Sequence, residues 1–117
     1  MTDQERDETL LEYITHSITL INRYTEGGEQ AFLSNSMVQD AVLRRLETLA
    51  DAARHLSPVV IARHAGIPWR AIFGFRNVAA HGYLTLDPSR VWLVVQDYLP
   101  ALQSVVADEL RLIGQEM

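Results

Sequence analysis

Apolar residues recur at helical spacing along nearly the whole chain, and no stretch shows the sustained alternation of a half-buried strand. The pattern predicts an all-α protein. A first helix is expected over about residues 7–25, with Leu10, Leu11, Ile14, Ile18 and Ile21 on one broad stripe and Gly27-Gly28 as its stop. A second opens at Ser36, where Gln39 three positions on completes a capping-box pattern. Its apolar face is Val38, Val42, Leu46, Leu49, Ala53 and Leu56, and Ser57-Pro58 ends it. The polar stretch 26–36 reads as a loop between them.

Ser57 can cap, and Pro58 begin, a short third helix to about residue 64, since a first-turn proline lacks an N–H that would go unsatisfied anyway. Gly66 closes that turn. Pro68 then starts a helix that holds the stretch FGFRNVAAHGY, residues 73–83, with Gly82 placed to end it. Asp87-Pro88 repeats the cap-plus-proline signal ahead of a long final helix through Val91, Trp92, Val95, Leu99, Leu102, Val106 and Leu110. Pro100 inside it is expected to produce a kink. Four main helices plus a short one, joined by short links, form an antiparallel bundle of one domain, residues 1–117.

Composition narrows what such a bundle can do. At 117 residues the chain can bury roughly two thirds of its unfolded surface and needs no staple to fold. The absence of cysteine excludes disulfides, thiol nucleophiles and cysteine-ligated metals, and fits a reducing cytoplasm. The acidic start MTDQERDETL is unlike a signal peptide, and no run approaches the ~18 apolar residues of a membrane span. A cytoplasmic protein without a membrane partner is expected. The net charge of −5 argues against a general nucleic-acid coat. Its distribution matters more: residues 41–82 hold six arginines against two acids, and the remainder four arginines against thirteen. Every basic residue other than histidine is Arg, whose planar fork suits phosphate or carboxylate.

The segment 73–83 sets Arg76, Asn77, His81 and Tyr83 among glycines and alanines. A helix that only filled a core would carry Leu or Ile here, each contributing about 1.5–3 kcal/mol when fully buried. On a helical wheel Val78, Ala71, Phe75, Ala79 and Ile72 form the apolar side. Arg70, Arg76, Asn77 and His81 share the other side with the small residues Gly74 and Ala80. That ledge is cut back to admit another backbone, a nucleotide or a second subunit. Asn77 and His81 are i,i+4 neighbours, so the amide can orient the imidazole. A histidine that moves a proton, a permanent cation and an orienting amide suffice for metal-free cleavage of an RNA phosphodiester. The same residues also fit a bland surface or packing role.

The segments IPWRAIFGFRNVAAHGY and LDPSRVWLVVQDYLPAL closely resemble the HepT-like branch of the HEPN superfamily, the toxin half of the HepT/MntA toxin–antitoxin pairs. The pattern R-N-x-x-x-H-x-Y is matched by Arg76, Asn77, His81 and Tyr83. Ile67-Pro68-Trp69, Val91-Trp92 and the run 97–100 add specificity. The resemblance implies an all-α HEPN bundle that forms a symmetric homodimer with two motifs facing one cleft. It implies a metal-independent endoribonuclease of a type VII-like pair, with Arg76 and His81 catalytic, Asn77 supporting and no cofactor. Tyr83 matches the tyrosine to which the MntA-like nucleotidyltransferase antitoxin transfers AMP. RNA and that antitoxin are the implied partners, and the resemblance allows a higher complex of the homodimer with the antitoxin. The second helix departs from the family: Ala50-Asp51-Ala52 stands where members often carry Gly-Glu-Ala.

Arg70 and Arg45 are candidate RNA contacts, and Arg44 and Arg54 share the second helix with Arg45. Asp51 can pair with an arginine of the motif helix. His16, His55 and His64 lack metal-ligand spacing, so no metal site is expected. Trp69 and Trp92 read as core or interface anchors. Two other functional readings stay open: a noncatalytic subunit that binds a nucleotide or a nucleotidyltransferase on the same ledge, and a helical dimer whose motif serves packing alone.

Overall fold

In the computed structural model, which describes residues 1–81 and 87–116 and side chains other than those of 77–81 and 116, the first helix begins ahead of its apolar stripe. Helix α1 (Asp3–Tyr24) starts there because Thr2 and Glu5 close a reciprocal cap. The Thr2 hydroxyl accepts from the Glu5 N–H at 3.1 Å, and the Thr2 N–H donates to the Glu5 carboxylate at 3.3 Å. Leu11, Ile14, Ile18 and Ile21 are fully buried, as their spacing predicts, whereas Leu10 is half-buried at the edge of the stripe.

The stretch expected to be a loop contains a second short helix, α2 (Glu29–Leu33), entered through Gly28 at φ 90°, a conformation other residues rarely adopt. It delivers Phe32 to the core, 1% exposed and with its ring 5.5 Å from Trp92. Helix α3 (Ser36–Arg54) is capped by Asn35, whose side chain accepts from the Val38 N–H at 3.2 Å, and not by Ser36. Asparagine caps as well as serine, so the true cap lies one residue earlier and Gln39 falls outside the box. Gln39 instead donates to the carbonyls of Phe32 and Leu33, satisfying acceptors at the end of α2.

Helix α4 (Pro58–Arg63) has Ser57 at its cap position, but a tertiary contact replaces the local one. Asp7, 5% exposed, accepts from the Ser57 N–H at 2.9 Å and from its hydroxyl at 2.6 Å. Bonds to a charged acceptor are the stronger kind, so this pair ties the start of α1 to the start of α4. It also shows that α1 runs antiparallel to α3, since Asp7 near the start of one meets the residues just past the end of the other.

Helix α5 (Trp69–His81) and helix α6 (Pro88–Glu116) complete the bundle. Asp87 caps α6 by accepting from the Ser89 N–H at 3.0 Å, and the helix continues through Pro100. α3 packs against α1 on one side and α5 on the other, and α6 covers α1. Among the described residues there is no strand, and one apolar cluster contributed by all six helices forms the core. The buried face of α5 is rotated from the expected one: Trp69, Ile72 and Phe75 are buried, while Ala71 is exposed. Three large side chains outweigh one methyl in apolar area, so they set the rotation.

Glu109 is 2% exposed on α6. Its carboxylate lies 2.7 Å from His64 Nε2 and 3.3 Å from the Arg63 guanidinium. The His64 carbonyl in turn accepts from the Trp69 indole N–H at 2.9 Å. The turn between α4 and α5 is therefore held by its side chain to α6 and by its backbone to the first residue of α5.

Two stability outcomes follow from the buried polar groups. Asp7→Ala leaves a backbone N–H and a hydroxyl without their charged acceptor and should cost about 1.5–3 kcal/mol in a urea titration. Ser17 behaves oppositely: its hydroxyl is fully buried and has no hydrogen-bond partner, so Ser17→Ala should be neutral or stabilising by up to about 1 kcal/mol. A loss of more than about 1 kcal/mol on Ser17→Ala would contradict that reading.

Candidate functional site

The rotation of α5 decides where Arg76 goes. Arg76 stands one turn beyond Ile72, which is 1% exposed, yet its own side chain is 47% exposed. It therefore leaves the helix at the border between core and solvent, stem along the bundle and head outward. The guanidinium lies 3.7 Å from Asp51 on α3, whose side chain is 52% exposed. This is the pairing with an acid of the second helix that the sequence allowed, across 25 positions. Two half-exposed partners at that separation are worth at most about 1 kcal/mol, so the pair orients Arg76 without locking it.

The pair closes one wall of a cleft of ≈ 510 Å³ between α1, α3 and α5. Leu10 and Tyr13 of α1 and Ala52 of α3 supply its apolar lining. Tyr13 is 37% exposed, unusual for a large ring on a helix whose other face is fully buried. Polar groups come from successive turns of α3: Arg44, Glu47, Thr48, Asp51 and His55. Arg44 and Glu47 face each other at 3.6 Å. The Thr48 hydroxyl lies within 3.3 Å of the Arg44 and Arg45 carbonyls, so its proton is committed to the helix. His55 Nδ1 is 2.8 Å from the Asp51 carbonyl. A carbonyl only accepts, so Nδ1 carries the hydrogen, and Nε2 of the neutral ring is an acceptor.

Of the sequence-derived candidates, Arg76 is the one brought to this cleft. Asn77 and His81 lie on the same helix, but their side chains fall outside the described residues, as does Tyr83 altogether. Arg70 is exposed on α5 and Arg45 half-buried on α3, and neither lines the cleft; Arg44 does. A methyl group added at Gly74 would meet nothing within 4 Å, so the small residue there does leave open space beside the helix. Sequence reasoning did not single out Tyr13 or the placement of His55. Their only local signals are a large ring at an otherwise exposed helical position and a histidine four residues after Asp51. Among the described residues no three His, Cys, Asp or Glu side chains converge as a metal ion would require, and no helix is long and apolar enough to cross a membrane.

Comparison with known proteins bears on what such a cleft serves. A Thermococcus cleftensis protein named "Probable ribonuclease HepT" is 32% identical over 94 residues, which cover 80% of this chain and 86% of that one. From Methanocaldococcus jannaschii, "Gamma-glutamylcyclotransferase and putative RNase MJ0434" is 31% identical over 108 residues, 92% of this chain but 47% of the relative. The chain thus spans about half the length of that protein. "Putative RNase MJ1380" of the same organism is 29% identical over 75 residues, 64% of this chain and 69% of the relative. No solved structure matches the chain significantly. The family description "Ribonuclease HepT-like" matches residues 14–108, which include α3, α5 and their contact at Asp51 and Arg76. The chain belongs to the HepT-like ribonuclease family.

Proposed function

We propose that this protein is a metal-independent endoribonuclease toxin that works as a homodimer and is silenced by AMP transfer to Tyr83 from an MntA-like nucleotidyltransferase. The observation that carries the reading is the Arg76 guanidinium, exposed at the mouth of a cleft and held only by a weak surface pair. In the proposed reaction the 2′-hydroxyl attacks the adjacent phosphorus and the bond to the 5′-oxygen breaks, leaving a 2′,3′-cyclic phosphate and a free 5′-hydroxyl. His81 takes the proton from the 2′-hydroxyl or gives one to the departing 5′-oxygen, and Asn77 one turn earlier orients the imidazole. Arg76 exchanges Asp51 for the phosphate and balances charge on the transition state. DNA lacks the attacking hydroxyl and is spared.

A two-fold axis would set two copies of the arginine-rich middle segment against one RNA strand, so local field rather than the net charge of −5 would attract it. AMP on Tyr83, two residues from His81, would add phosphate charge and bulk where the RNA backbone must lie.

Purified protein incubated with total RNA and a chelator should give fragments ending in 2′,3′-cyclic phosphate. His81→Ala should lower the rate at least about 10²-fold, and Arg76→Ala about 10²–10³-fold. Because its partner is a half-exposed carboxylate, Arg76→Ala should leave the unfolding free energy within about 1 kcal/mol of wild type. A larger loss of stability with unchanged cleavage would assign the motif to packing. Intact RNA combined with a tight nucleotidyltransferase complex would make the chain a noncatalytic binding subunit. Co-expression with the nucleotidyltransferase should add AMP mass to the wild type and none to Tyr83→Phe; a label that persists on the variant places the modification elsewhere.

A further inference from the structure

The cleft beside Arg76 holds more chemistry than a phosphate contact needs. Beside the guanidinium donors of Arg44 and Arg76, its α3 wall presents several acceptors. The Thr48 proton is committed to backbone carbonyls, so its oxygen accepts. His55 Nδ1 donates to the Asp51 carbonyl, so Nε2 of the neutral ring accepts. Asp51 faces Arg76 at 3.7 Å, and the half-buried Glu47 carboxylate, touched at 3.6 Å by one exposed arginine, has lone pairs to spare. Tyr13 offers a partly exposed ring across from these groups, on a different helix.

We infer that this cleft is a guanine subsite, receiving the base that adjoins the phosphate held by Arg76. Placing that phosphate rests on the ribonuclease reading; the match between cleft and base does not. Bases of single-stranded RNA are read by stacking on aromatic rings and by hydrogen bonds to their Watson–Crick edge. Guanine presents adjacent N1–H and N2–H donors that one carboxylate accepts together. Adenine and cytosine present one amino group beside an acceptor nitrogen, and uracil one N–H between two carbonyls. A carboxylate in this wall therefore accepts two donors from guanine and at most one from each of the other three. The cleft, at ≈ 510 Å³, lies within the usual range of about 300–1,000 Å³ for small-ligand sites. Its formal charge is balanced, Arg44 and Arg76 against Glu47 and Asp51, so a bound base is not simply drawn in with any polyanion.

The test titrates the full-length protein with the 3′- and 5′-monophosphates of guanosine, adenosine, cytidine and uridine, by calorimetry or amide chemical shifts. One of the two guanosine monophosphates should bind at least about tenfold tighter than its adenosine, cytidine and uridine counterparts, and which one it is identifies the side of the cut. Tyr13→Ala should weaken that binding by about tenfold or more, the loss that removal of a stacking ring produces. Glu47→Gln should erase the preference for guanine while leaving weak binding of all four. Equal affinities, no binding of any nucleotide, or a guanine preference untouched by both variants would overturn the assignment. Ends of RNA fragments provide the independent arm: guanine should adjoin the cut. Guanosine monophosphate binding with intact RNA would keep the subsite and remove the ribonuclease reading; cleavage without base preference, together with equal affinities, would do the reverse.

Discussion

A carboxylate that almost no water reaches anchors the start of the helix that carries Arg76. Glu109 is taken from solvent at a cost of several kcal/mol in general terms, and only close, hydrogen-bonded partners offset that cost. His64 and Arg63 supply them from α4. Because the His64 carbonyl also holds the Trp69 indole, the same cluster anchors the start of α5, whose rotation follows from its buried side chains. Arg76 lies seven residues along that helix, about 10 Å at 1.5 Å per residue. A shift of the α4–α5 turn would move the guanidinium away from Asp51, although no atom of the turn touches the cleft.

Acidic groups are used in two ways that burial distinguishes. Asp7 and Glu109 are buried, each satisfied by groups about 50 positions away, and they join helices. Asp51 and Glu47 are partly exposed, lie beside arginines and join nothing that apolar packing does not already hold. Removing a buried partner strands a charge or a donor in low dielectric, whereas an exposed pair can open into water at little cost. The polar ties that add to stability therefore lie at the α1–α4–α6 end, and exchangeable electrostatics along the exposed edge of α3. An arginine that must release one anion to take another belongs on the second kind of surface.

The sequence announced what depends on neighbours three or four positions apart. The stripe of α1, the proline starts of α4 and α6 and the short motif on α5 are all local patterns, and the helices stand where those patterns put them. Local signals also compete: asparagine and serine cap equally well, so Asn35 took the position expected of Ser36. The α2 helix was hidden because only one of its five residues, Phe32, is buried, too few for any periodicity to register. Contacts between distant positions left little trace. Asp7 with Ser57 and Glu109 with His64 join residues that nothing in their own surroundings marks as partners, and for Asp51 the sequence allowed an arginine of the motif helix without saying which. The rotation of α5 was missed for a related reason. A helical wheel weighs each apolar residue alike, whereas Trp69, Ile72 and Phe75 bury far more area than Ala71 and turn the helix toward themselves.

The charge balance of the cleft bears on specificity as much as on binding. A surface of arginines alone would attract any polyanion, and selectivity, being a difference between affinities, would gain nothing from that attraction. With Asp51 and Glu47 interleaved, entry of a phosphate must displace a carboxylate, and a strand held by its backbone alone recovers little. In the proposed subsite the remainder would come from contacts that differ between bases, supplied by an aromatic ring on α1 and acceptors on α3. Such groups discriminate where a bound base covers them, because a mismatched base then leaves an acceptor unpaired, a larger penalty than the loss of one favourable contact. An acidic protein with a neutralised cleft is in this sense better placed to choose among RNA sequences than a basic one, since less of its affinity is common to all of them.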